Sequence, residues 1–179
     1  MLLKKIKYLT VSVLLSALFL TSCVDPPDYS EVPEIEFITF SPQLVGTEDT
    51  LQIVFFFKDG DGDLGFESFS EPDSLGCDLC DSTCFDEPEF SIFVTRNKTG
   101  CLIPFNMPYI PPKGSSRAIS GNVTLSLFDI GCLPPDGGSL GDITDQETDT
   151  VYFYIQLKDR AGNFSNVIQT PEITLLCND

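Results

Sequence analysis

Asp49-Thr50-Leu51-Gln52-Ile53-Val54-Phe55-Phe56-Phe57-Lys58-Asp59 aligns without a gap with Asp149-Thr150-Val151-Tyr152-Phe153-Tyr154-Ile155-Gln156-Leu157-Lys158-Asp159. Leu51, Ile53, Phe55 and Phe57 match Val151, Phe153, Ile155 and Leu157. Alternate apolar positions are the signature of an extended strand with one buried face. Two such strands suit the second and sixth positions of a seven-strand sandwich, where they face each other across the core. The likeness stops after Asp159, so a shared demand for two central strands explains it better than a duplication.

Outward from these strands, no segment sustains a helical apolar period. Short β-rich runs recur between clusters of Gly, Pro, Asn and Asp. Strands are expected near Glu34–Phe40, Leu51–Lys58, Glu89–Thr95, Cys101–Met107, Asn122–Phe128, Thr150–Lys158 and Asn166–Leu176. Asn97-Lys98-Thr99-Gly100 supplies a hairpin turn between the third and fourth. Pro104 has no N–H to donate and places the fourth at a sheet edge. The expected fold class is all-β: an immunoglobulin- or fibronectin III-like two-sheet sandwich over residues 34–179, with a cysteine-rich insertion at 66–88 between the second and third strands. With no tryptophan, the Cys-Trp-Cys core of antibody domains is absent.

The amino terminus is of another kind. Lys4, Lys5 and Lys7 precede an apolar run, Tyr8 to Leu20, that is short for a membrane span. Leu20-Thr21-Ser22-Cys23 then resembles the lipobox of bacterial lipoproteins, which implies cleavage before Cys23 and lipidation of it. Residues 1–22 are accordingly a signal peptide, and 23–33 a lipidated, acidic, proline-rich tether. Loss of a leader holding three lysines and no acid takes the net charge from −17 to −20. Such a surface repels nucleic acid and anionic membranes alike, so membrane attachment falls to the lipid.

Six cysteines follow Cys23: Cys77, Cys80, Cys84, Cys101, Cys132 and Cys177. An even count in an exported chain reads as three disulfides. Three of the six share one short stretch, so at least one of these must pair outside it when all are oxidised. A zinc site fits poorly, because the chain has no histidine and no second Cys-x-x-Cys.

Both central strands end in Lys-Asp and a glycine-bearing loop: Asp59-Gly60-Asp61-Gly62-Asp63-Leu64-Gly65 and Asp159-Arg160-Ala161-Gly162-Asn163. In a sandwich these loops emerge at the same end. Oxygen ligands at alternate positions suit a hard cation such as calcium (Ca2+), with Asp59, Asp61, Asp63, Asp159 and Asn163 as candidate ligands and Glu67 in reserve. The pattern departs from an EF-hand: Leu64 stands where that loop needs glycine, and Ser70 where it needs glutamate. The alternative is turn chemistry, with glycine supplying positive φ and Asp or Asn closing Asx-turns. Both readings stand at this point.

The lipobox, the acidic tether, Asp-Gly-Asp-Gly-Asp-Leu-Gly after a β run, Tyr109-Ile110-Pro111-Pro112, and Asp159-Arg160-Ala161-Gly162-Asn163-Phe164-Ser165-Asn166 before a last strand together resemble small, uncharacterised Bacteroidetes-type outer-membrane lipoproteins. The resemblance implies an immunoglobulin-like sandwich anchored at the outer membrane, with no known activity. The acids Asp25, Asp28 and Glu31 after the lipid cysteine imply the cell-surface face over the periplasmic one. It further implies O-glycosylation at Asp-Ser/Thr-apolar tripeptides. Thr50 and Thr150 open central strands, which accounts for them; Ser74 is the candidate.

With no histidine there is no Ser-His-Asp or Cys-His arrangement, and no carboxylate pair stands out as catalytic, so the chain reads as non-enzymatic. The expected function is a structural or interaction module whose partners are other envelope proteins. Its recognition face would be the 66–88 insertion with the loop after Asp159. The alternative is a calcium-stabilised module for carbohydrate or another ligand, with Tyr109 as the stacking aromatic.

Overall fold

The computed structural model describes residues 27–46, 48–67, 90–99, 102–111, 117–128, 130–133 and 147–177. Among these there are ten strands and no helix: β1 (Glu34–Ser41), β2 (Leu44–Val45), β3 (Leu51–Asp59), β4 (Ile92–Arg96), β5 (Leu102–Phe105), β6 (Ile119–Leu127), β7 (Thr148–Val151), β8 (Phe153–Leu157), β9 (Ile168–Gln169) and β10 (Ile173–Leu176). One sheet runs β1-β3-β6 and the other β5-β4-β8-β9, with a short β2-β10-β7 sheet beside them. The fold is an all-β sandwich. The two aligned strands, β3 and β8, are interior strands of different sheets.

Their inner faces carry the core. Leu51, Ile53, Phe55, Phe57, Val151, Phe153, Ile155 and Leu157 are all buried, and all belong to one hydrophobic cluster. Fully burying a side chain of this size contributes about 1.5–3 kcal/mol, so these eight positions supply a substantial part of the fold's cohesion. Pro104 does sit on an edge strand, since β5 pairs only with β4.

Two expected strands are each divided. The sixth breaks at Tyr152, whose backbone N–H donates to Asn97 Oδ1 (3.3 Å) while its carbonyl accepts from the Asn97 N–H (3.1 Å). The strand changes partner there, from β10 on β7 to β4 on β8. The seventh breaks at Thr170-Pro171, because Pro171 cannot continue the ladder. Thr170 closes the gap: its N–H donates to the Phe153 carbonyl (2.9 Å) and its Oγ1 accepts from the Phe153 N–H (3.0 Å). These two breaks separate the small sheet from the larger one.

One flank of the sandwich is sewn shut. The Asn166 side chain accepts from the Ile35 N–H and donates to the Ile35 carbonyl, both at 2.9 Å, so it stands in for a neighbouring strand on β1. The opposite flank, between β5 and β6, holds two cavities of about 430 and 420 Å³ that share Phe105 and Ser126 in their walls.

Cys132 and Cys177 form a disulfide across 45 residues. Cys23, Ser74, Cys77, Cys80, Cys84 and Cys101 lie outside the described residues. The Cys132–Cys177 bond narrows the parity argument. If the other four are oxidised among themselves, each of their three arrangements joins Cys101 to the insertion. A peptide map of unreduced protein is therefore expected to show Cys101 linked to Cys77, Cys80 or Cys84. A Cys101 that alkylates without prior reduction would contradict this.

Candidate cation-binding site

The period-two rule that buries Leu51 to Phe57 also applies to the next odd position. Asp59 lies on the inner face of β3 and is fully buried. Asp159 follows Leu157 by the same parity and is 1% exposed. Each central strand therefore delivers a carboxylate into the sandwich at the same end.

The chain leaves β3 through glycine-assisted bends, Gly62 at φ 69° and Gly65 at φ 76°, which L side chains rarely adopt. These bends turn Asp61 and Asp63 back onto Asp59. One carboxylate oxygen from each lies within 4.8 Å of the others. Leu64, where an EF-hand would have glycine, is instead fully buried in the core and pins the loop from below.

The hydrogen bonds within this end are selective. Asp59 Oδ2 accepts from the Asp63 N–H (3.0 Å), and Asp63 Oδ2 accepts from the Ala161 N–H (3.1 Å). The Oδ1 atoms of Asp59, Asp61 and Asp63 are all buried without a hydrogen-bond partner. Asp159 behaves differently. Its Oδ1 accepts from the Asn163 N–H (2.7 Å) and its Oδ2 from the Asn163 side-chain amide (2.8 Å). Of the five candidate ligands, the structure brings together Asp59, Asp61 and Asp63, while Asp159 and Asn163 satisfy each other alongside. Glu67 is exposed.

Electrostatics make the cluster costly as it stands. Burial, with the negative charges of Asp61, Asp63 and Asp159, raises the Asp59 pKa to about 6 despite the hydrogen bond from Asp63. Asp63 is also raised, first by burial and then by Asp159 and Asp61. Two ionised carboxylates at this separation repel by about 3 kcal/mol at an effective dielectric near 20. A buried acceptor left unpaired costs a further ~1–3 kcal/mol. A divalent cation among the three Oδ1 atoms would relieve both terms, and carboxylate oxygens are what a hard cation takes.

The second loop braces the first. Arg160 Nη1 donates to the carbonyls of Leu64 (3.1 Å) and Gly65 (2.7 Å), and the Arg160 N–H donates to the Asp63 carbonyl (3.2 Å). The Arg160 guanidinium also lies 5.1 Å from the Tyr109 ring centroid. The aromatic singled out for sugar stacking thus already has a cation over its ring. Arg160 as a brace is absent from the sequence-based reading, and the signal for it was weak: one arginine after a shared Lys-Asp.

A second charged cluster, at the far end of the sandwich, was not legible from motifs either. Asp149 is buried and accepts from Arg96 Nη2 (2.9 Å), from the Leu133 N–H (3.0 Å) and from Lys98 Nζ. Arg96 also donates to the Gly131 carbonyl (2.7 Å). Burial pushes the Asp149 carboxyl up, but the hydrogen bonds from Lys98 and Leu133 and the charges of Lys98 and Arg96 outweigh it and hold it below the usual range. Both Asp149 oxygens have donors, so the acid offers no orphaned acceptor and the cluster reads as a structural lock, although Arg96 Nε is buried without a partner.

No protein-family model matches the chain, and no curated protein matches it.

Proposed function

We propose that the protein is a non-enzymatic, lipid-anchored β-sandwich of the cell envelope, an interaction module whose Asp59–Asp63 loop holds a calcium-like divalent cation. Two observations support the cation: Asp59, Asp61 and Asp63 each bring a carboxylate oxygen within 4.8 Å of the others, and each has a buried Oδ1 with no hydrogen-bond partner. Turn chemistry alone explains the glycines and the Asp59 Oδ2 contact, but not three buried acceptors left without a donor in one loop. The cation's role is to stiffen the two loops, since the surrounding groups bind the loops to each other. Anchoring rests on the lipobox-like segment ending at Cys23.

Thermal unfolding tests the cation. Extracellular sites of this type bind with Kd of about 10⁻⁴–10⁻³ M. In 10 mM calcium the linkage stabilisation is then about 1.4–2.7 kcal/mol. For a chain of this size that is a Tm rise of roughly 3–10 °C over protein in excess chelator. Asp61→Asn should abolish the calcium-dependent rise, yet melt in chelator at or above the wild type, because it removes a ligand and a repelling charge together. Coincident wild-type melts with calcium and chelator would defeat the cation reading.

A further inference from the structure

We infer that the Asp59–Asp63 end of the sandwich faces the bilayer, and that the opposite end, carrying the β4–β5 turn and the Cys132–Cys177 disulfide, is the surface turned outward to partners. This rests on the lipid anchor proposed above. It reverses the sequence-based expectation that the 66–88 insertion with the loop after Asp159 forms the recognition face.

The tether carries the inference. Its second half is not a free linker. The Gly60 N–H donates to the Ser30 carbonyl at 2.7 Å, and the Val32 N–H donates to Ser30 Oγ at 3.1 Å. A Cβ on Gly60 would lie 2.3 Å from the Tyr29 carbonyl oxygen and 2.7 Å from that of Ser30. Tether and acidic loop therefore pack backbone on backbone, a contact that only glycine admits. Pro33 is buried, and Glu34 then pairs with Lys58, one residue before Asp59.

Chain length sets the rest. From Cys23 to Tyr29 is six residues, which span at most ~22 Å when fully extended. The nine residues of β3 separate the two ends of the sandwich by about 30 Å. While Tyr29 and Ser30 stay docked, the acidic end cannot leave the neighbourhood of the membrane, and the far end cannot replace it there without turning the domain on its side. Lying flat would press a strongly anionic surface against the headgroups, which repel it. An upright domain exposes the least charge to the bilayer, and a cation held by Asp59, Asp61 and Asp63 reduces the charge at the end that remains close.

The test uses full-length lipidated protein in phosphatidylethanolamine–phosphatidylglycerol vesicles carrying a headgroup energy acceptor. A donor dye is placed through an unnatural amino acid, leaving the cysteines alone, either at exposed Ala161 beside the acidic loop or at Phe128, which is 67% exposed at the far end. Transfer from position 161 is expected to exceed that from 128 clearly, and a twelve-residue Gly-Ser insertion after Val24 should shrink the difference. Equal or reversed transfer in the unmodified protein overturns the orientation while leaving the anchor intact. Failure to co-float with vesicles overturns the anchor itself, and the orientation with it.

Discussion

Asp149→Asn is expected to destabilise the protein by about 3–5 kcal/mol, the scale found when one partner of a buried ion pair is removed. Against a typical domain stability of ~5–15 kcal/mol, this is among the most damaging single substitutions available. The reason lies in what remains. The Asp149 and Arg96 side chains are 1% and 10% exposed, so the guanidinium would stay buried with its charge uncompensated. Lys98, at 22% exposure, can turn to water; Arg96, held at the Gly131 carbonyl, cannot easily do so. Urea unfolding should show a lower midpoint with an unchanged slope. Arg96→Met combined with Asp149→Asn should recover part of the loss, because removing both charges costs less than orphaning one. Acid gives an independent check. A carboxylate whose folded pKa is depressed contributes stability above its unfolded pKa, near 4, and loses it as pH falls through the folded value. The gap between wild type and variant should therefore narrow below about pH 4. A gap that is small at pH 7, or that does not change in acid, would show the cluster to be dispensable.

Cys132→Ser with Cys177→Ser is expected to cost about 4 kcal/mol, from the loop-closure entropy returned to the unfolded chain when a 45-residue loop opens. That corresponds to a Tm drop of roughly 8–16 °C. The effect should not add cleanly to that of Asp149→Asn. Gly131 and Leu133, on either side of Cys132, both hydrogen-bond into the Arg96–Asp149 pair, so bond and ion pair hold the same piece of chain. The double loss is expected to be smaller than the sum. Unchanged melting of the Cys132→Ser/Cys177→Ser protein would mean that the charged cluster alone suffices.

What could be read in the chain follows from how local each signal is. The period-two runs from Leu51 and Val151 report burial directly, and they put β3 and β8 at the centre of different sheets. The same periodicity already placed Asp59 and Asp159 inward, a step that treating them only as loop acids obscured. The strand break at Tyr152 was hidden, because it depends on the Asn97 side chain far away in sequence, whereas the break at Thr170 had a local signal in Pro171 that the strand reading ran through. Asp49 and Asp149 occupy equivalent places in the alignment, yet Asp49 is exposed and closes a turn with the Gly46 N–H, whereas Asp149 is buried. Nothing local distinguishes them; the difference is made by Arg96 at the end of β4 and Lys98 in the turn after it. Among the cation candidates, spacing alone could not tell that Asn163 takes both oxygens of Asp159.

Under the proposed lipid anchor, the pairing of β1 with β3 would have a mechanical meaning. The two strands run antiparallel from Glu34↔Lys58 to Ser41↔Gln52. A pull on the tether, resisted by a partner at the far end, acts along the axis of β1 and loads its ladder in shear. All of its cross-strand bonds then share the force, instead of opening one after another as they would if the strand were peeled sideways. The Asn166 clasp on Ile35 adds two more bonds in the same line of load, on the other edge of β1. With the proposed anchor in place, the first strand would work as a tension member between the tether and the body of the sandwich.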